Sequence, residues 1–435
     1  SNFLYIIVLL ILAGVSIAML TGDNGILTQA QNAKRRTEEA AANEQADLYE
    51  AEDYINSAIG KTVNAPRLME GMTPVYWDTN GNEIETTSTD TNWYNYSEQR
   101  WANAKTEDGS YWVWIPRYEY KVNQTTDTMP SDTNAGTVKV NFISKETTTA
   151  SSGFTIHPAF TSNRDAGGWR EEIAGIWVAK YEMSMEENGE TKVTDSVETG
   201  NIGTSDTIKM VSKPGVSSWR WINIANSYTN SYNYDRSKES HLIKNSEWGA
   251  VVFLTHSKYG RNGIEVSINN SSGYYTAGQE EATATTNVSQ STTGNASGIY
   301  DISGGAWDRV AAFNSEYSGE YFTGKDSLDA NGKHFASTGG KSTEYVTAYS
   351  NDTSTSHQDF TVGNVTIIGD GMGEVYVGLD RGWFNDHCYF INITNPFINR
   401  GGRSNYGAET GIFCSNPSKG NTGENNSFRA VLIGM

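Results

Sequence analysis

The sequence predicts an α+β protein in which a long N-terminal α-helix precedes a loop-rich head with small β-sheets. Three observations lead there. Phe3–Leu20 form a run of eighteen residues without a charge, rich in Ile, Leu and Val. Residues 26–59 lack proline and are rich in Ala, Glu and Gln, which are good helix formers. Beyond Gly60 the chain turns to Trp, Tyr, Asn, Thr and Gly, a mixture suited to short aromatic strands joined by many turns.

The first run sits at the lower edge of the ~17–25 residues that span a bilayer as a helix. A retained signal peptide and a single-span anchor are the simpler readings of such a run. Gly22 and Gly25 interrupt it, each weakening a helix by about 1 kcal/mol. The helical pattern then resumes. Ala33, Ala40, Leu48, Ala51, Ile55 and Ile59 leave a narrow apolar stripe, suited to packing on one surface. Lys34, Arg35 and Arg36 precede a run of Glu and Asp, so staggered neighbours could pair charges.

The 435 residues are enough for one or two cores. Lys+Arg 32 against Asp+Glu 51 leaves a net charge of −19. That balance argues against a nucleic-acid partner, because phosphate binding needs a basic face. The six histidines, His157, His241, His256, His334, His357 and His387, show no HxxxH or HxH spacing, so no metal site and no cofactor are expected. "DTNGNE" at 78–83 and "DANGKH" at 329–334 lack the full calcium-loop spacing and read as Asx-rich turns.

"IIVLLILAGVSIAMLTGDNGILTQAQ", residues 6–31, resembles the N-termini of type IV pilins and pseudopilins, in particular the prepilin-like surface proteins of Gram-positive bacteria. The resemblance extends to residue 59. It implies a polymerisation helix over 1–59, held in the membrane before assembly and packed against identical copies in a filament afterwards. Leu9, Leu10, Ile11, Leu12, Val15 and Ile17 would lie against neighbouring copies, with Gly14 allowing close approach. Gly22 and Gly25 would mark where the helix melts. Tyr5 stands where pilins usually carry glutamate.

Residues 60–109 read as a neck or the start of the head, and 110–435 as the head proper. Strand-like runs are "YWVWIPRYEYKV" (111–122), "AGIWVAKYEM" (174–183), "GAVVFL" (249–254), "NVTIIGD" (364–370) and "FRAVLIG" (428–434). Trp112, Trp114, Trp177, Trp219, Trp221, Trp248 and Trp307 mostly occur in such runs and are expected in the core. Four stretches in order, "GIWVAKYEMS", "SHLIKNSEWGAVVFL", "GIYDISGGAWDRV" and "NRGGRSN…NSFRAVL", resemble the formylglycine-generating enzyme group. That resemblance implies a C-type-lectin-like head. The group's activity uses a close pair of cysteines late in the chain, whereas Cys388 and Cys414 are 26 residues apart. No enzymatic activity is therefore expected, and the two form a structural disulfide or stay as buried thiols.

The end of the chain is also similar to the variable proteins of diversity-generating retroelements, whose C-terminal loops carry binding residues. On that resemblance Trp383, Phe384, Asn385, Asn399, Arg403, Asn405, Tyr406, Phe413, Ser415 and Asn416 are the ligand-facing candidates. Tyr, Asn and Ser suit adaptable contact surfaces, although solvated loop residues would look the same. The sequence thus points to a subunit of an extracellular, cell-surface filament that self-assembles through its N-terminus, with a head for adhesion to a surface or host ligand. A membrane-tethered monomeric adhesin and a formylglycine-generating-type oxidase are the alternatives.

Overall fold

The computed structural model describes residues 64–124, 135–188, 190–191, 208–317, 342–349 and 367–434. It also describes Gln29, Ala30, Ala33, Lys34, Arg36 and Thr37, all in helical conformation. The chain divides into two compact units, Ser1–Ile59 and Gly60–Gly434. Leu9, Leu10, Ile11, Leu12, Gly14, Val15, Ile17, Gly22 and Gly25 lie outside the described residues. Among the described residues no helix is long and apolar enough to cross a membrane.

The second unit begins with β1 (Met72–Trp77), β2 (Glu83–Glu85), β3 (Asn103–Thr106) and β4 (Tyr111–Pro116). These pair antiparallel in the order β2-β1-β3-β4, so residues 60–109 contribute strands to the same sheet as the residues that follow. β5 (Tyr118–Asn123), β6 (Thr137–Phe142) and β7 (Thr155–Ile156) form a separate three-stranded sheet. β8 (Gly175–Ala179) returns to the first sheet beside β4, with Trp114 opposite Trp177 and Val113 opposite Val178. β9 (Ser184–Glu187), β10 (Glu190–Thr191) and β11 (Ile208–Val211) make a small outlying sheet.

Two helices follow. In α1 (Ile224–Asn233) the Asn223 side chain caps the first turn by accepting from the Asn226 amide at 2.8 Å. β12 (His241–Leu242) then leads into α2 (Asn245–His256), where the Glu247 carboxylate accepts from the Lys244 amide at 2.8 Å. β13 (Trp307–Asn314) is the centre of the last sheet. It pairs parallel with β14 (Thr347–Tyr349) and β17 (Asn426–Phe428), and antiparallel with β15 (Phe397–Arg400), which in turn pairs with β16 (Ser415–Ser418). β18 (Ala430–Leu432) closes the first sheet between β12 and β8, giving it seven antiparallel strands.

The expected fold class is corrected by this arrangement. An α+β protein with a long N-terminal α-helix and a C-type-lectin-like head of small sheets was anticipated. The described residues instead form mostly strands in four sheets, one of them seven strands wide, with two helices of 10 and 12 residues. No long N-terminal helix is seen among the described residues. The physical reason lies in the composition after Gly60, where aromatic and β-branched residues favour a pleated, half-buried surface.

A large core runs through the second unit, with a small separate cluster of Tyr181, Ala277, Ala282 and Tyr300 beside it. Trp93, Trp101, Trp112, Trp114, Trp169, Trp177, Trp219, Trp248 and Trp383 are fully buried. Trp307 is also buried, while Trp221 is only half-buried, at a left-handed φ of 60°. The run 249–254, read as a strand, lies inside α2. All twelve residues of α2 are buried, so its apolar run carries no helical period to read.

Candidate functional site

The four family-like stretches meet in space around one buried cation. Arg429, from "NSFRAVL", donates to Asp308 of "GIYDISGGAWDRV" from Nη2 at 3.1 Å and from Nε at 3.3 Å. It also donates to the Tyr300 carbonyl at 2.9 Å and, from Nη1, to the Ala179 carbonyl of "GIWVAKYEMS" at 2.8 Å. Its own carbonyl accepts from the Ile243 amide of "SHLIKNSEWGAVVFL" at 3.0 Å. Nearby, Glu182 accepts from the Ala306 amide at 2.8 Å, and Asp301 accepts from the Ala277 amide at 2.9 Å. Burial pushes the Glu182 carboxyl well above the usual range, and raises Asp301 and Asp308 to about 6 despite the Arg429 charge. All of these groups are closed off from solvent, so they hold the frame together and cannot touch a ligand.

A second buried node lies at the "NRGG" turn. Arg400 donates to the Asn245 side chain at 2.7 Å, to the Asp370 and Gly371 carbonyls at 2.8 and 3.0 Å, and to the Cys414 carbonyl at 2.9 Å. It thus ties β15 to α2 and to the loop at 369–374, "GDGMGE". His241 is similarly committed: its ring nitrogens face the Glu239 carbonyl at 2.7 Å and the Glu247 carboxylate at 3.0 Å. Among the described residues no group of three or more His, Cys, Asp or Glu side chains is placed to hold a metal ion.

The ten ligand-facing candidates separate into two sets. Trp383, Phe384, Asn399, Phe413 and Ser415 are buried, and their assignment to a ligand surface is corrected. Trp383, Phe384 and Phe413 pack around His256 with ring centroids 4.9, 5.5 and 5.8 Å away. The Trp383 indole donates to Gln124 at 2.8 Å, Asn399 donates to Asn426 at 2.9 Å, and Ser415 donates to the Tyr389 carbonyl at 2.9 Å. Large apolar rings and amides paired inside a sheet are drawn to the core whatever their neighbours in sequence.

Asn405 is exposed, while Asn385, Arg403, Tyr406 and Asn416 are half-buried. Three of these gather near His387. Its Nε2 lies 3.3 Å from the Asn416 side-chain oxygen, and its ring lies 5.3 Å from that of Tyr406, over which Arg403 sits at 5.5 Å. Arg381 pairs with Glu409 beside them.

Cys388 and Cys414 are both buried free thiols, so the disulfide alternative is corrected. Cys388 Sγ lies 3.5 Å from the Ser415 hydroxyl, and Cys414 Sγ donates to the Glu409 carbonyl at 2.7 Å. Burial lifts the Cys388 thiol to about 12 and the Cys414 thiol well above its ordinary value. Thiols held protonated in this way are inert.

A feature that no sequence motif marked is a cleft of about 550 Å3 at the end of β1. Trp77 and Tyr76 supply aromatic surface, the turn after β1 supplies Asp78 and Asn80, and Arg100 and Ser297 come from two further segments. The signal available in the sequence was the "YWDTNGN" turn, in which aromatic rings directly precede a polar loop.

No protein-family model matches the chain, and no curated protein matches it.

Proposed function

We propose that the protein is the structural subunit of an extracellular, type IV pilus-like filament whose bulky head faces outward to contact a surface or host ligand. The carrying observation is the segregation of the sequence: eighteen uncharged, apolar residues precede an otherwise polar chain of net charge −19. A segment of that kind is stable only in lipid or among its own kind. The membrane would therefore be its station before assembly, and identical copies its partners afterwards.

The head supports this division of labour. Its described surface has only three exposed large apolar side chains, Ile264, Ile368 and Leu379. Large contiguous apolar patches are what mark association surfaces, so self-association is left to the N-terminal segment. Its acidic balance keeps it soluble and away from nucleic acid. The surface cluster of Arg403, Tyr406 and Asn416 around His387 is one face through which such a head could engage a partner.

Electron microscopy of material sheared from the cell surface, labelled with an antibody against the head, tests the reading. Labelled fibres are the expected result. A chain found wholly in the membrane fraction, with no labelled fibre, would replace it with a tethered monomeric adhesin.

A further inference from the structure

We infer that the cleft beside Trp77 is a binding site for a neutral oligosaccharide. The inference concerns the head alone and stands whether or not the chain polymerises. The volume of about 550 Å3 falls within the ~300–1,000 Å3 of ordinary ligand sites.

The walls are held in place before any ligand arrives. On one side, the Asp78 carboxylate accepts from the Asn80 amide at 2.9 Å, the Asn82 amide at 2.8 Å and the Asn82 side chain at 3.1 Å, fixing the turn after β1. These hydrogen bonds, chiefly those from Asn82, hold the Asp78 carboxyl below its ordinary value, so it stays an acceptor. In the two further lining segments, Asn295 donates to the Gln99 carbonyl at 2.9 Å, and the Trp101 amide donates to Ser297 at 2.9 Å. Lys180, buried and outside the lining, touches three of its segments. Its Nζ donates to Asn103 at 2.9 Å and to the Ala296 and Gly298 carbonyls at 2.6 and 2.7 Å, and it sits 4.7 Å from the centre of the Trp77 ring. One buried lysine therefore ties Asn103, the 296–298 segment and the Trp77 ring together.

The chemistry of the lining selects the ligand class. Trp77 and Tyr76 are half-buried, and an electron-rich ring face attracts the partly positive C–H groups of a sugar ring as it attracts cations. Around them stand amides, a hydroxyl, carboxylates and a guanidinium. Amides and hydroxyls both donate and accept, which matches the dual character of sugar hydroxyls. Charge excludes other classes. Among the lining residues the cation Arg100 is paired with Glu98 at 3.4 Å, Asp78 adds a negative charge, and the Lys180 Nζ beside Trp77 is spent on three oxygens of the protein itself, so a phosphate or acidic sugar meets no excess of positive charge. A lining this polar would leave an apolar ligand facing unsatisfied groups.

The test is an array of neutral, sialylated and phosphorylated glycans probed with the labelled full-length chain. Retention on at least one neutral glycan is expected. Trp77→Ala should weaken it at least tenfold and Trp77→Phe much less. Because Trp77 also packs on Lys180, Glu98→Ala and Asn80→Ala provide surface variants that leave the core untouched; each should weaken binding severalfold with unchanged near-ultraviolet circular dichroism. The inference is overturned if no neutral glycan is retained, if only sialylated or phosphorylated glycans are, or if retention is indifferent to Trp77, Asn80 and Glu98. Fibre formation is a separate readout, so failure here leaves the filament proposal standing.

Discussion

Arg429 and Asp308 form a fully buried ion pair in which two guanidinium donors converge on one carboxylate oxygen. The pair joins the residue leading into β18 to β13 and thereby locks the two largest sheets together. Removing one partner strands the other charge without water, which costs about 3–5 kcal/mol, whereas replacing both by apolar groups costs far less. Arg429→Met should therefore lower stability by several kcal/mol, and Arg429→Met with Asp308→Leu should recover much of the loss. Urea unfolding followed by tryptophan fluorescence would measure both, and an additive pair of losses would contradict this account.

Gly249 sits in the middle of α2, where a helix gains about 1 kcal/mol from alanine. Here the opposite is expected. A Cβ at 249 would collide with the Gly369 carbonyl oxygen, and Gly369 itself has φ 91° with Pro158 against it. Helix and loop approach too closely for either position to carry a side chain. Gly249→Ala should destabilise by about 2 kcal/mol or more, in keeping with overpacked cores. A midpoint at or above that of the parent would show that the loop moves aside freely.

That contact also explains what could be read in advance. β4 and β8 were visible because Trp112, Trp114, Trp177 and Val178 form continuous apolar runs, as strands buried on both faces do. "GAVVFL" looked the same, yet Val251 and Val252 are in a helix, because a helix buried all round loses its period. The width of the main sheet was not legible, since β12 and β18 are short and join β8 across long stretches of sequence. At the C-terminus, the resemblance that singles out Arg403, Tyr406 and Asn416, which are half-buried beside His387, equally singles out Trp383 and Phe413, which pack on His256 in the core, because polar neighbours in sequence mask the burial of a large ring. The Trp77 cleft draws on segments around residues 77, 100 and 296; the "YWDTNGN" turn marks the first of them, and no local pattern announces that the three meet.

Cys388 and Cys414 provide a chemical check on the fold. Both thiols are buried and pushed upward by desolvation, so the reactive thiolate is scarce. Iodoacetamide at pH 8 without reductant should leave the native chain unlabelled and add two adducts after unfolding in guanidinium. Mass spectrometry reads the outcome directly, and an unfolded chain that stays unlabelled would mean the two are bonded.

Gly14 offers a test of assembly that leaves lipid solubility intact. On the proposed filament reading, Gly14→Leu adds apolar surface and so would preserve residence in the membrane, while its bulk would prevent the close approach that small residues permit. The expected result is a strong reduction in sheared fibres with the chain accumulating in the membrane fraction. Fibres in parental amounts would mean that Gly14 does not lie at a contact between copies.

Glu374 should impose a measurable pH dependence on the head. Its carboxylate is held by the Tyr120 hydroxyl at 2.5 Å and the Gly369 amide at 2.9 Å, yet burial raises it from 4.5 to about 7, with Asp370 adding to the rise. The folded state therefore holds this proton more tightly than the unfolded chain does. Its contribution to stability is fully present below about pH 4.5 and is lost as pH rises through 7. Other buried groups titrate in the same range, including His157, which burial depresses to about 3 and which acts with the opposite sign. Comparison with Glu374→Gln cancels those that do not interact with Glu374, and the relief of Asp370 in the variant is part of the difference read. Between about pH 4.5 and pH 8 the glutamine variant should gain on the order of 3 kcal/mol relative to the parent, because a tenfold change in proton affinity is worth about 1.4 kcal/mol. Thermal midpoints of the two proteins across that range supply the measurement, and parallel curves would show that Glu374 ionises in the folded head as it does in water.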